Sequence, residues 1–221
     1  MTTSSSDRRS AILSAATRLF EHYGHGKTTI ADVAREARVG VGTVYLEFDS
    51  KEAIVQELSL STHVGVLASM RAASDACTDP AKRFAVVMEA RTRCFLELRR
   101  KGQHACELVH CKTEGVRVAH QHFKEQEHQL FQSLVREGQR TGVFTPGDPA
   151  TIAALIQRAF VSLAPPHIFG SDDDATRASA DLCQLLLHGL LVESRAGDAH
   201  ASARARGSKT TGRTTKTRRA R

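Results

Sequence analysis

At 221 residues the chain is long enough for one small and one medium domain, each with a real core. Hydrophobic residues make up 41% with no Trp and two Tyr, no run approaches the ~18 apolar residues of a membrane span, and residues 1–9 lack the apolar core of a signal segment. Five scattered cysteines (Cys77, Cys94, Cys106, Cys111, Cys183) form no disulfide framework, and the expected location is a reducing cytoplasm.

In chain order, Ile12, Leu13, Ala16, Leu19, Phe20 and Tyr23 recur at helical spacing, and Gly24 and Gly26 stop that helix. Thr29 precedes Ile30 and stands three residues before Asp32, a capping-box pattern that opens a second helix with Val33, Ala34 and Ala37 on one side. This helix ends near Arg38, and the short, glycine-rich Val39-Gly40-Val41-Gly42 predicts a sharp turn. From Gly42 a third helix of about two turns is expected. In it Val44 and Phe48 bury together, while Gly42, Thr43, Tyr45, Leu46 and Glu47 stay mostly outward. Asp49 and Ser50 stand where a cap belongs, ahead of a fourth helix with Ile54, Val55 and Leu58. A short helix that keeps one face free in so small a unit is suited to enter the major groove of DNA.

Lys27-Thr28-Thr29-Ile30-Ala31-Asp32-Val33-Ala34, then Val39 through Phe48, then Ser50-Lys51-Glu52, resembles the DNA-binding signature of the TetR/AcrR family of regulators. The resemblance covers about the first 60 residues. It implies an all-α fold: a helix-turn-helix DNA-binding domain at 1–50 and a helical effector-binding and dimerisation domain at 51–196. A disordered basic tail is expected at 197–221. The implied activity is that of a repressor, a homodimer on a palindromic operator in double-stranded DNA that a small, largely apolar effector releases.

Within the DNA-binding unit, free amides at a helix N-terminus bind phosphate, so Thr28, Thr29 and the adjacent Lys27 are expected to anchor the backbone. By resemblance Tyr45 is the phosphate-contacting aromatic and Lys51 a second clamp. Gly42 permits close approach, Thr43 can bond a base edge or present its methyl to thymine, and Leu46 offers apolar contact. Two positions depart from many relatives: Val41, where a polar or basic residue is common, and Glu47, commonly His, Tyr or Asn. Glu47 either accepts from a cytosine amino group or turns back toward Arg38 or Lys51.

Farther along, Phe84, Val87, Met88, Arg91, Phe95 and Leu98 mark one helix face, and Phe123, Leu130, Phe131, Leu134 and Val135 another. Asp148-Pro149 caps a helix with Ile152, Leu155, Ile156, Ala159, Phe160 and Leu163, which Pro165-Pro166 ends. After an expected acidic loop at 172–174, a last helix carries Leu182, Cys183, Leu185, Leu186, Leu187, Leu190, Leu191 and Val192. Apolar nearly all round, it needs cover on more than one face. By resemblance Ile152, Leu155, Ile156, Phe160, Leu182, Leu186 and Leu190 form a four-helix dimer interface. Candidate effector contacts, chosen by residue type and placement, are Met70, Phe95, His104, His110, Phe123 and Phe160.

His104, Cys106, His110 and Cys111, followed by His120, His122 and His128, are dense in soft ligands. The alternative they raise is a metal- or thiol-redox-responsive repressor; their spacing matches no metal motif, and no metal, cofactor or catalytic residue is expected. No nucleophile elbow, phosphate-cradling loop or zinc-protease helix is present, which argues against an enzyme. The net charge of +7 belongs to the end of the chain: residues 199–221 hold eight Lys or Arg and no acid, which leaves 23 basic against 24 acidic residues elsewhere. Without large apolar residues that tail cannot pack. It is either a phosphate-binding arm that raises DNA affinity or a solvated extension.

Overall fold

The computed structural model describes residues 5–168 and 170–190. Among these the chain is all-helical: α1 (Ser5–Tyr23), α2 (Ile30–Glu36), α3 (Val41–Glu47), α4 (Lys51–Asp75), α5 (Pro80–Lys101), α6 (Glu107–His110), α7 (Glu114–Arg140), α8 (Pro149–Ala159), a 3-10 turn (Phe160–Leu163) and α9 (Asp172–Leu190). The basic tail, and Leu191 and Val192 of the expected last helix, lie outside the described residues.

Local chemistry explains most of the boundaries. Thr29 and Asp32 form the reciprocal capping box: Asp32 N donates to Thr29 Oγ1 at 3.1 Å, and Thr29 N donates to Asp32 Oδ2 at 3.0 Å. The α2–α3 turn differs in detail from the glycine expectation. Its left-handed residue is Arg38, with φ of 57°, and Val39 N donates back to Ala34 O at 2.9 Å. That 6→1 bond, with Arg38 N on Arg35 O, closes α2 as a Schellman motif, so Gly40 is free to cap α3 instead. Asp-Pro opens two helices, not one. Asp148 caps α8, and the same dipeptide at Asp79-Pro80 opens α5, where Asp79 accepts from Lys82 N. The acidic stretch 172–174 is not a loop but the first turn of α9, where carboxylates suit the positive end of the helix dipole. Asp172 also pairs with Arg99 and Arg100 of α5.

Two apolar clusters organise these helices. The smaller joins Ile12, Ala16 and Phe20 of α1 to Val33 and Ala34, to Val44 and Phe48, and to Ile54, Val55 and Leu58 of α4. It does not stop at the helix-turn-helix, because Leu108 of α6 and Val116 of α7 complete it. The larger gathers α4, α5, α7, α8 and α9 around Met70, Phe84, Met88, Phe95, Phe123, Phe131 and Phe160. Long α4 therefore contributes its start to one core and its end to the other. No helix among the described residues is long and apolar enough to cross a membrane.

Candidate nucleic-acid interface and the cavity behind it

The inward face of α3 is fixed and its outward face is open. Val44 and Phe48 are buried in the small core, whereas Leu46 is 86% exposed, Tyr45 54% and Val41 43%. Thr43 is half-buried, and a Cβ placed on Gly42 would meet nothing within 4 Å. Lys27 and Thr29 are exposed.

Three expected contacts have other employment inside the fold. Thr28 is buried, and its hydroxyl donates to Gly24 O at 2.9 Å. The Thr29 hydroxyl works in the capping box, where it and the Thr29 amide hold the Asp32 carboxyl below its ordinary range. Lys51 Nζ donates to His25 O at 2.8 Å and Thr28 O at 3.1 Å, tying the start of α4 to the α1–α2 loop.

Glu47 turns inward, though to neither Arg38 nor Lys51. Its carboxylate accepts from Ser5 Oγ at 3.0 Å and pairs with Arg8 at 3.4 Å. Arg9 also reaches α3: it donates to Glu47 O at 2.5 Å, pairs with Glu57, and stands 4.1 Å above the Phe48 ring. These N-terminal residues were missed because the apolar period starts only at Ile12. The Arg8-Arg9 pair ahead of it was the available signal.

Behind the helix-turn-helix, α6 faces two ways. Glu107 accepts from His25 Nδ1 at 2.9 Å and from His104 Nδ1 at 2.7 Å, and Leu108 enters the small core. Burial raises the Glu107 carboxyl, but the hydrogen bonds from His104 and His25 outweigh it and hold the group below its ordinary value. His104 N donates to Glu21 O at 3.1 Å, and Gly102 lies so close to Glu21 that any Cβ would overlap its carbonyl. The other side of α6 gives Val109 and His110, with Cys111 just after them, to a cavity of about 780 Å³. Phe123, Arg91 and Glu127 also line it. His63 of α4, buried, packs its ring 4.9 Å from Phe123 and 5.7 Å from His120, another lining residue.

Of the six residues expected at an effector, His110 and Phe123 line this cavity. Met70, Phe95 and Phe160 are packed into the large core, and His104 sits at the seam with the α1–α2 loop. A second cavity of about 600 Å³ lies between α5 and α9, beside a buried hydroxyl pair, Thr92 and Ser179, at 2.8 Å. The His/Cys-rich segment does not converge on a metal. Among the described residues no group of three or more His, Cys, Asp or Glu is arranged to hold one. Instead His104 binds Glu107, the Cys111 thiol meets Thr113 Oγ1 at 3.1 Å, and Cys106 packs with Leu98, Ala105 and Val109. Burial raises the Cys106 thiol and pushes Cys183 up to about 11.

Of the residues expected at a dimer interface, Ile156 and Phe160 face the chain's own core, and Ile152, Leu182, Leu186 and Leu190 are partly buried against it. Leu155 is 59% exposed, as is Leu185 at 68%, which the helical pattern did not single out.

Comparison with known proteins bears on both halves of the chain. The model described as bacterial regulatory proteins, tetR family, matches residues 12–58. That described as tetracyclin repressor-like, C-terminal domain, matches residues 80–183. The HTH-type transcriptional regulator YhgD of Bacillus subtilis is 27% identical over 161 residues, 71% of this chain and 82% of its own. Among solved structures, a TetR/AcrR-family regulator from Thermobifida fusca superimposes with a TM-score of 0.66 at 24% identity, covering 83% of this chain and 98% of its own. A chain assigned to the same family from Mesorhizobium loti gives 0.69 at 17% identity, covering 86% and 100%.

Proposed function

We infer that this chain, which belongs to the TetR family of bacterial regulatory proteins, is a repressor that binds a palindromic operator as a homodimer and leaves it when an effector binds. That it is a helix-turn-helix transcriptional regulator, and not an enzyme, follows from the family. The observation that carries the DNA-reading step is the open face of α3. A helix that exposes Val41, Tyr45 and Leu46 while anchoring Val44 and Phe48 is shaped to give that face to a groove. Thr43 and Leu46 read base edges, and Lys27 and Tyr45 hold phosphates. Lys51 and Thr28 act indirectly, by setting the loop that carries Lys27. Glu47, paired with Arg8 and accepting from Ser5, turns its carboxylate from the phosphates it would repel.

Leu155 and Leu185 support dimerisation as apolar side chains left uncovered by their own chain. A two-fold dimer would place two α3 helices on half-sites about one helical turn apart, or a multiple of it. Release has a short route. α6 holds His25 through Glu107 on one side and lines the larger cavity through Val109 and His110 on the other. A molecule that binds better when α6 has moved would draw the α1–α2 loop and the start of α4 with it. Its leverage is the difference between its affinities for the two states.

The test is selection of bound sequences from a random DNA pool with the full-length protein. A discrete palindrome is expected. Lys27→Ala should weaken binding to every sequence and flatten the salt dependence, whereas Thr43→Val should change preference at one base position by roughly 5- to 150-fold. Uniform coverage of DNA would instead favour a non-specific coating protein and overturn the reading. Equal loss on all sequences for Thr43→Val would overturn the split between anchor and reader.

A further inference from the structure

We propose that the cavity walled by α6, α7 and the α8–3-10 segment binds an amphiphilic anion, a small molecule with one carboxylate or phosphate group on an apolar body. This rests on the reading of the protein as an effector-responsive regulator and names the class of effector. The cavity, about 780 Å³, is of the size that holds small molecules. Its apolar wall comes from Val109, Val116, Phe123, Val161 and Pro165. Its charged wall is lopsided, with Arg91, Lys112, Arg117, Lys124 and Arg158 against one carboxylate, Glu127.

That carboxylate is already spent. Glu127 Oε1 accepts from Arg91 Nε at 2.6 Å, its Oε2 accepts from Gln157 Nε2 at 2.9 Å, and both charged side chains are about 95% buried. Arg117 is likewise committed, to Glu114 one turn away. Lys112, Lys124 and Arg158 remain. They come from the α6–α7 loop, α7 and α8, and none has a carboxylate at ion-pair distance among the described residues. All three are solvent-exposed, so together they give the cavity's rim a positive potential that salt screens. Partial burial first, and then Lys124, push the His120 imidazole below its ordinary value, with Glu127 opposing. A neutral guest would leave the three cations uncompensated, and a cationic guest would be repelled. An anion with its head at Lys112, Lys124 and Arg158 and its body against Phe123 and Val161 satisfies both walls. Such a guest would touch Phe123 and His120, the two rings that His63 of α4 packs against.

Calorimetric titration of the full-length protein, without DNA, uses decanoate, decyl phosphate and decanol as probes. One or both anions should bind, and the tighter of the two identifies the head group. Decanol should bind at least roughly tenfold more weakly, and raising salt should narrow the gap. The triple variant Lys112→Gln, Lys124→Gln, Arg158→Gln should lose roughly tenfold or more for the anion and leave decanol unchanged, all three positions being exposed enough to spare the fold. Equal affinity for decanol and decanoate, or an unchanged triple variant, overturns the proposal. The same probes added to the operator complex separate the two readings. An anion that binds without releasing DNA sustains the site and sinks effector release. Release by decanol but not by the anions sustains effector release and sinks the anion site.

Discussion

Replacing Glu127 by Leu should be among the most damaging single changes available in this chain. Arg91 and Glu127 are 5% and 4% exposed, with Nε 2.6 Å from Oε1. Once the carboxylate is gone, Arg91 keeps the Phe160 carbonyl at 3.4 Å and the face of Phe95 at 5.1 Å, neither of which carries a compensating charge. Breaking a buried pair in this way costs about 3–5 kcal/mol. Total stability of about 5–15 kcal/mol makes that a large fraction. At about 2–4 °C per kcal/mol for a chain of this size, Tm falls by about 6–20 °C. Arg91→Met together with Glu127→Leu removes both charges, and the pair's high desolvation cost disappears with them. The double variant should therefore lie at least about 3 kcal/mol above the sum of the singles. Urea unfolding at one fixed protein concentration reads all four chains, the concentration being held because association stabilises the folded state. Singles that each cost under about 1 kcal/mol, or a double variant that is simply additive, would show that the pair is solvated and the reasoning from burial wrong.

Thr29→Ala removes the hydroxyl half of the capping box and should cost about 1 kcal/mol in thermal unfolding. In the same variant the Asp32 carboxyl should titrate closer to its ordinary value by NMR; an unmoved titration would mean that Thr29 is not what holds it down. Arg38→Gly relieves a left-handed residue at φ 57° and should raise stability by about 1 kcal/mol in the same assay, whereas a loss would point to a side-chain role outweighing the backbone. His63 is buried with Nδ1 donating to Ser59 O at 2.9 Å, and burial is the main cause that pushes its imidazole down to about 4. The unfolded chain then binds a proton near pH 6.5 that the folded chain refuses until about pH 4, so stability falls as pH drops through that window, by roughly 3 kcal/mol at most. His63→Phe should flatten the dependence of urea stability on pH between those limits, and an undiminished slope would place its origin elsewhere.

What could be read from the chain alone was whatever is written within a few residues. The capping box spans three positions, Val44 and Phe48 are one helical turn apart, and Asp148-Pro149 announces a helix by itself. Periodicity then gave the all-helical class and the inward faces around Phe84, Phe95 and Phe131. A periodic face, though, says only that a side chain is covered, never by what. For Ile156 and Phe160 the cover is the chain's own core, whereas Leu155 and Leu185 are left open. The polar partners were farther from view still. Glu47 finds Ser5 and Arg8 some 40 positions back, Lys51 the carbonyls of His25 and Thr28, and His25 a carboxylate 82 residues away. Ion pairs and hydrogen bonds need their groups at contact distance in space, so sequence supplied the donors and acceptors while the packing of α1, α4, α6 and α7 chose the pairs. The same packing set Lys112, Lys124 and Arg158 around one cavity with no carboxylate at ion-pair distance among the described residues, which no count of Lys and Arg along the chain could have shown.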